Sequence, residues 1–244
     1  MKKSSLIILS LFLSITIWAQ SETRDLSSFS SVSVGESIDL ILKKGSKESA
    51  KITVDDIPLD EVITDISGNS LKIYLEGNSY RNVDVTIVLT YVSLEGIKSS
   101  SSSSIRAEGE ITAKGNFEIK CSSSGNITAE VIAESIEIDV SSSGDVDLVV
   151  DTDEMEIEVS SSGDIDIRGR AGSIEASASS SGSIDGYELI CGDADLRTSS
   201  SASIKLTING DLEARASSGS SIRYKGSTKR VDVDSSSGAS IKRS

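Results

Sequence analysis

The chain has 244 residues, with 38 acidic against 24 basic side chains, a net charge of −14 and no histidine. Such a surface repels phosphate backbones, which excludes nucleic acid as a partner, and the lack of histidine excludes Ser-His-Asp chemistry. With 4% aromatic residues, one proline and many β-branched side chains, a core must be aliphatic and the chain mostly strand.

Residues 1–20 read as a secretory signal peptide. Lys2 and Lys3 precede an apolar run from Leu6 to Trp18, and Ala19 is a small residue suited to cleavage before Gln20. The run is interrupted by Ser10, Ser14 and Thr16 and is shorter than the ~20 residues that span a bilayer, so no transmembrane segment is expected after signal removal. Losing Lys2 and Lys3 takes the net charge from −14 to −16. An acidic exported surface of this kind favours cations, basic partners or neutral glycans.

Residues 21–98 are strand-like without a fixed period. Strands are expected at Ser37–Lys43, Ala50–Asp55, Ser70–Leu75 and Val83–Thr90, with turns at Lys44-Gly45-Ser46 and Gly68-Asn69. This stretch reads as irregular first coils or a cap on the stack that follows, with no linker between.

Residues 99–244 repeat. A run of serines ending in a small residue recurs, and the apolar residue after each run is Ile105, Ile127, Val146, Ile165, Ile184, Ile204, Ile222 and Ile241. The period near 19 predicts a solenoid. Within one period, Ile136-Glu137-Ile138-Asp139-Val140 and Asp145-Val146-Asp147-Leu148 alternate apolar and polar residues on either side of Ser141-Ser142-Ser143-Gly144. Period two on both sides predicts two half-buried strands joined by a constant corner. A variable corner follows at Val149–Glu154, Arg168–Ser173, Tyr187–Asp193, Thr207–Asp211 and Lys225–Arg230.

Neither strand buries its apolar face alone, so the coils must stack in parallel about 4.8 Å apart. The expected fold is an all-β, right-handed, single-stranded parallel β-helix of about seven coils, roughly 34 Å long, forming one continuous domain with the N-terminal cap. Two inward ladders precede the serines: Phe117, Ile136, Met155, Ile174, Ala194, Leu212, Val231, and Ile119, Ile138, Ile157, Ala176, Leu196, Ala214, Val233. Serine suits a tight corner because its hydroxyl can bond to neighbouring coils and free backbone. Gly125, Gly144, Gly163 and Gly182 are expected to supply backbone angles that a β-carbon forbids. The corner also offers a regular hydroxyl array, of the kind that would meet a sugar or ice lattice. At the C-terminal end, Lys242 and Arg243 discourage edge pairing of the last coil.

The stretch Val32-Ser33-Val34-Gly35-Glu36-Ser37-Ile38-Asp39-Leu40, the later Ser70-Leu71-Lys72-Ile73-Tyr74 and the recurring Ser-Gly-(Asp/Asn)-Ile units resemble the putative auto-transporter adhesin family with a head GIN domain. The resemblance covers roughly residues 28–244. It implies an exported β-helix protein of the Bacteroidetes type with an adhesin-like role, and it carries over no catalytic residues.

The sharpest chemical feature is a carboxylate at one outward position of seven successive coils: Glu118, Glu137, Glu156, Glu175, Asp195, Glu213 and Asp232. Stacked 4.8 Å apart, neighbouring carboxylates repel by roughly 0.9 kcal/mol in water before screening. The row is either a ligand-binding stripe or solubilising charge, with Lys120, Arg197 and Arg215 two residues along to neutralise part of it. A second stripe changes sign, from Asp147, Asp166 and Asp185 to Lys205, Arg223 and Lys242, which is either drift on a solvated face or a polarity that orients association of copies. Asp151 and Arg170 are expected to pair one coil apart.

Ser-Gly-Asp-Ile-Asp-Ile has neither the period nor the second glycine of nine-residue calcium repeats. No metal site and no cofactor is assigned, and loosely held calcium between adjacent carboxylates stays open. Glycoside hydrolysis needs two carboxylates in different environments, and uniform ladders single out no pair. Cys121 and Cys191 fall at least roughly 14 Å apart by register, too far to bridge. The expectation is a non-enzymatic, exported, adhesin-like scaffold in the periplasm or at the surface, presenting flat faces to a glycan or an envelope protein, or to another copy of itself. A polysaccharide lyase or hydrolase and a purely structural envelope protein are the alternatives. A deep groove around Tyr187 and Arg168–Arg170 would favour the enzyme.

Overall fold

Corner, strand and corner wind the chain into a solenoid of about 8 turns with ~19-residue coils. The computed structural model describes residues 20–55, 57–77 and 84–244, so the expected signal peptide up to residue 19 lies outside the described residues. In chain order the strands are β1 (Gln20–Asp25), β2 (Ser31–Val34), β3 (Asp39–Lys44), β4 (Ser49–Asp55), β5 (Val62–Ser67), β6 (Ser70–Leu75), β7 (Asp84–Tyr91), β8 (Gly96–Ser99), β9 (Ser104–Thr112) and β10 (Asn116–Cys121). The regular coils follow as β11 (Asn126–Val140), β12 (Asp145–Val159), β13 (Asp164–Ala178), β14 (Ser183–Thr198), β15 (Ser203–Ile208), β16 (Leu212–Ala216), β17 (Ser221–Lys225), β18 (Val231–Ser235) and β19 (Ser240–Arg243).

The stacking is parallel and in the register that the serine runs dictate. Ile138 pairs with Ile119 and Ile157, and Val146 with Ile127 and Ile165. Both inward ladders before the serines are buried down to Leu212 and Ala214 and open to solvent at Val231 and Val233. Each interior rung therefore touches like residues above and below, and a buried Leu or Ile contributes about 1.5–3 kcal/mol.

The variable corner is much smaller than the sequence predicts in the central coils. β11, β12, β13 and β14 each run through it as one hydrogen-bonded strand. The turn is made where two successive residues, such as Asp153 and Glu154, both face outward and the alternation slips by one. The ladder still forms there, as Val150 with Gly169 and Asp151 with Arg170. Tyr187–Leu189 is a bulge, marked by the register shift between Gly186 and Ile190. The strand breaks here between β9 and β10, between β15 and β16 and between β17 and β18.

The serine corner also differs in mechanism from expectation. Its second and third residues carry the positive φ, at 50° for Ser142 and 61° for Ser143, and the same pair is left-handed at Ser123-Ser124, Ser161-Ser162, Ser180-Ser181 and Ser200-Ser201. A left-handed residue with a β-carbon costs about 1–2 kcal/mol. Backbone bonds between coils offset it: Ser143 N donates to Ser161 O at 3.1 Å, Ser141 N to Cys121 O at 2.9 Å and Asp145 N to Gly125 O at 3.0 Å, while Gly144 N closes the turn on Ser141 O at 2.9 Å. The corner is thus a continuation of the sheet.

Gly125, Gly144, Gly163 and Gly182 are absent from the positive-φ residues, so their role is space. A β-carbon on Gly125 would stand 2.8 Å from Ser99 O, and on Gly182 2.9 Å from Val159 O. At other corners the position takes a small side chain, as at Ser103, Ala202 and Ser220. Ser103 Oγ meets Ser99 Oγ at 2.9 Å, and Ser220 Oγ donates to Thr198 Oγ1 at 2.9 Å. Ser103 Oγ also donates to Val34 O of the neighbouring coil at 3.0 Å, so Ser103 and Ser220 bond across the stack, whereas the exposed second and third serines of the corners make no such bond among the described residues.

The N-terminal region stacks out of chain order. β2 lies between β6 and β8, and β3 between β7 and β9, so the coil made by β6 and β7 sits outside the earlier one. Beyond it β4 and β5 run antiparallel to β7 and β6, and β1 covers β4. Arg24 on β1 donates to Leu59 O at 2.9 Å and to Val62 O, tying the two faces together over the end of the core.

Candidate functional site

Strand register brings the seven predicted carboxylates into one row. Glu118, Glu137, Glu156, Glu175, Asp195, Glu213 and Asp232 are consecutive Cα partners on the face before the serine corner. Each sits between two inward residues of a strand with period two, so the core ladders themselves hold these side chains outward.

The cations lie where the sequence puts them. Lys120 pairs with Glu118 at 2.5 Å, and that bond raises the Lys120 pKa. Arg197 bridges Glu175 at 2.7 Å and Asp195 at 2.8 Å, and the Glu175 bond leads the causes that raise its pKa. Arg215 bridges Glu213 at 3.1 Å and Asp232 at 3.4 Å. Glu137 and Glu156 are in no ion pair among the described residues, and their outward neighbours Asp139 and Glu158 are also acidic. The row is therefore charge-compensated at both ends and bare in the middle.

A shallow groove of ≈ 1080 Å³ runs along this row from Asn116 to Asp232. Its opposite wall is Asn116, Ser135, Glu154, Ser173 and Asp193, stacked in register at the bend. Glu154, Ser173 and Asp193 close the variable corners expected from the sequence, and Asn116 and Ser135 hold the same position in earlier coils; the signal of all five is that each stands one position before an inward residue. Asp211 N donates to Asp193 Oδ1 at 2.8 Å, and Arg230 reaches Asp211 at 3.2 Å, closing that wall toward the C-terminal end. Asp195 Oδ1 is enclosed without a hydrogen-bond partner among the described residues, although its Oδ2 holds Arg197. On the serine side, a second concavity of ≈ 600 Å³ is lined by Asp139, Glu158, Ser160, Ser179, Arg197 and Arg215 among others.

The other candidates fall elsewhere. The exposed serine pairs form a ridge at the constant corner, one coil apart. The sign-changing stripe lies on the face after the corner, in register from Asp147 to Lys242, with Lys205 on Asp185 at 2.8 Å and Arg168 on Asp147 at 3.0 Å. Asp151 and Arg170 pair at 2.6 Å, one coil apart. The concavity near Arg170 holds only ≈ 200 Å³. Cys121 and Cys191 are both buried and free, Cys121 in the row of Val140, Val159, Ala178 and Thr198. Among the described residues no cluster of three or more carboxylates and thiols is arranged to hold a metal ion.

Comparison with known proteins agrees with this architecture. The fold matches a putative adhesin from Parabacteroides merdae ATCC 43184 with a TM-score of 0.87 at 19% identity, covering 93% of this chain and 96% of that one. A putative adhesin from Parabacteroides distasonis ATCC 8503 matches at 0.81 with 19% identity, over 93% and 97% of the two chains. A protein of the same organism described as a putative lipid binding protein matches at 0.78 with 20% identity, over 92% and 96%. At such identities the likeness speaks for the fold alone. No curated protein matches the sequence. The model of one family matches residues 28–148 and again 129–228, which together take in most of the chain and all the regular coils down to β17. The chain therefore belongs to the family described as putative auto-transporter adhesin, head GIN domain, a description that implies an extracellular or envelope location.

Proposed function

We propose that this protein is a non-enzymatic, adhesin-like scaffold that binds an extended glycan or a basic surface of an envelope protein along the carboxylate face. The observation that carries this reading is the open groove of ≈ 1080 Å³ whose wall is an unbroken row of carboxylates, bare of cations at Glu137 and Glu156. A repeating row presents the same acceptor every ~4.8 Å, which suits a ligand that itself repeats. Carboxylates accept hydrogen bonds from sugar hydroxyls or from Lys and Arg.

A polysaccharide lyase or hydrolase is the weaker reading. Hydrolysis needs one carboxyl kept protonated beside one kept ionised, and the row offers equivalent carboxylates on an open face. The test is to incubate the purified protein with panels of bacterial and host glycans and envelope proteins, with and without calcium, measuring saturable binding and release of new sugar ends. Saturable binding without product supports the scaffold. Product release, or no binding under any condition, overturns it.

A further inference from the structure

The two ends of the stack are finished differently. At the N-terminal end, β1 places Gln20, Glu22 and Arg24 in the rows of the buried residues Val54, Ile52 and Ala50. Charged residues in core rows block the addition of another strand. At the other end, β18 pairs only with β16, and β19 only with β17, among the described residues. Val231 and Val233 on β18 are 42% and 45% exposed, whereas Leu212 and Ala214 in the same rows one coil earlier are 2% and 0% exposed. Among the described residues, two core rows and two strand edges thus open at this end.

We propose that this end pairs with the same end of a second copy, β18 of one protomer lying antiparallel along β19 of its partner. Charge selects the arrangement. β18 carries Asp232 and Asp234 outward, and β19 carries Lys242 outward beside Arg243, which stands in the row of Tyr224 and donates to Gly226 O at 2.6 Å. Asp234 and Lys242 have no ion pair within the chain among the described residues. β18 runs toward the corner at Ser236–Ala239 and β19 runs away from it. A two-fold axis along the bisector of that corner exchanges the two faces, setting each acidic edge against a basic one. A two-fold axis normal to the faces would set Asp against Asp, which opposite-strand pairing disfavours. Head-to-tail stacking would bring Ile241 against the row that ends in Glu22. The closed, isologous pair is therefore the self-association left to this end. Lys242 and Arg243 guard one edge against its own kind and mark it for the other.

The test is the mass of the purified protein by sedimentation equilibrium over a range of concentration and salt, for the wild type, for Asp234→Lys, and for Lys242→Glu with Arg243→Glu. Circular dichroism checks that each variant is folded. The wild type is expected to reach the mass of two chains and to dissociate with added salt. Each variant alone, having lost the opposed charges of Asp234 and Lys242, should dimerise about tenfold more weakly or worse. An equimolar mixture of the two variants should restore the two-chain mass, because each then meets opposite charge. A wild type that stays single at every concentration, variants that dimerise as well as the wild type, or masses growing beyond two chains would each overturn the proposal. None of these outcomes depends on whether the carboxylate face binds a partner.

Discussion

A β-carbon placed on Gly144 would stand 2.8 Å from the carbonyl oxygen of Cys121, one coil away. Backbone of the neighbouring coil cannot yield as a flexible side chain would, because Cys121 O already accepts from Ser141 N at 2.9 Å. Gly144→Ala is expected to destabilise the fold by about 1–3 kcal/mol, as overpacking does. Denaturant unfolding measures it, and a loss below about 0.5 kcal/mol would show that the coils can move apart freely.

Ser143 should respond in the opposite direction. Its φ of 61° is left-handed and its side chain is exposed. Ser143→Gly removes a strain of about 1–2 kcal/mol while giving back some unfolded-chain entropy, so a net gain of about 0.5–1 kcal/mol is expected in the same assay. Gly219 and Gly238 already occupy the equivalent position in the last corners, at φ of 72° and 78°. A clear loss of stability would mean that the Ser143 hydroxyl has a structural role.

Asp166 faces Asp147 and Asp185 in its row. Burial first, and then Asp164, Asp185, Asp147 and Asp145, raise its pKa above the ordinary carboxylate value. The folded chain therefore holds this proton more tightly than the unfolded chain. Its contribution to stability falls as pH rises from the ordinary carboxylate range through the raised value, and is lowest above it. Asp166→Asn should melt at a higher temperature than the wild type at neutral pH, and the gap should close as the pH drops below the carboxylate range. Equal melting temperatures at neutral pH would contradict the argument.

Burial pushes the Cys121 thiol up to about 11 and the Cys191 thiol up to about 12. Thiolate is the reactive form, so both should resist alkylation in the folded protein. Both should react after denaturation without reductant, since both are free. Rapid labelling of the native protein would show that the coils open locally around them.

The repeat made the regular coils legible residue by residue, because a row such as Ile119, Ile138 and Ile157 follows from one alignment of the serine runs. The carboxylate row and its partners Arg197 and Arg215 were legible for the same reason. The role of the corner glycines was not legible, since sequence shows that Gly144 recurs at its corner position in four successive coils but not whether angle or space requires it; only the approach of Cys121 O decides that. The bend at Asp153 and Glu154 reads in the sequence as the end of a variable corner because two outward residues in succession look like broken alternation, although the parallel ladder carries the strand through. The N-terminal order was not legible, because insertion of β2 between β6 and β8 is a long-range pairing with no periodic signal. The far wall of the groove, Ser135, Glu154 and Ser173, emerges only once the bend places it beside the carboxylate row.

The central claim is that the partner lies on the carboxylate face, and the most direct measurement compares two charge-matched variants for affinity toward a ligand found in the binding panels. One is Glu137→Gln with Glu156→Gln and Glu175→Gln; the other, on the face after the corner, is Asp147→Asn with Asp164→Asn and Asp166→Asn. Losing hydrogen bonds to charged acceptors should weaken binding of the first by at least about tenfold, at roughly 1.5 kcal/mol or more per bond lost, and leave the second near wild type. Equal loss in both, or loss confined to the second, would contradict the account.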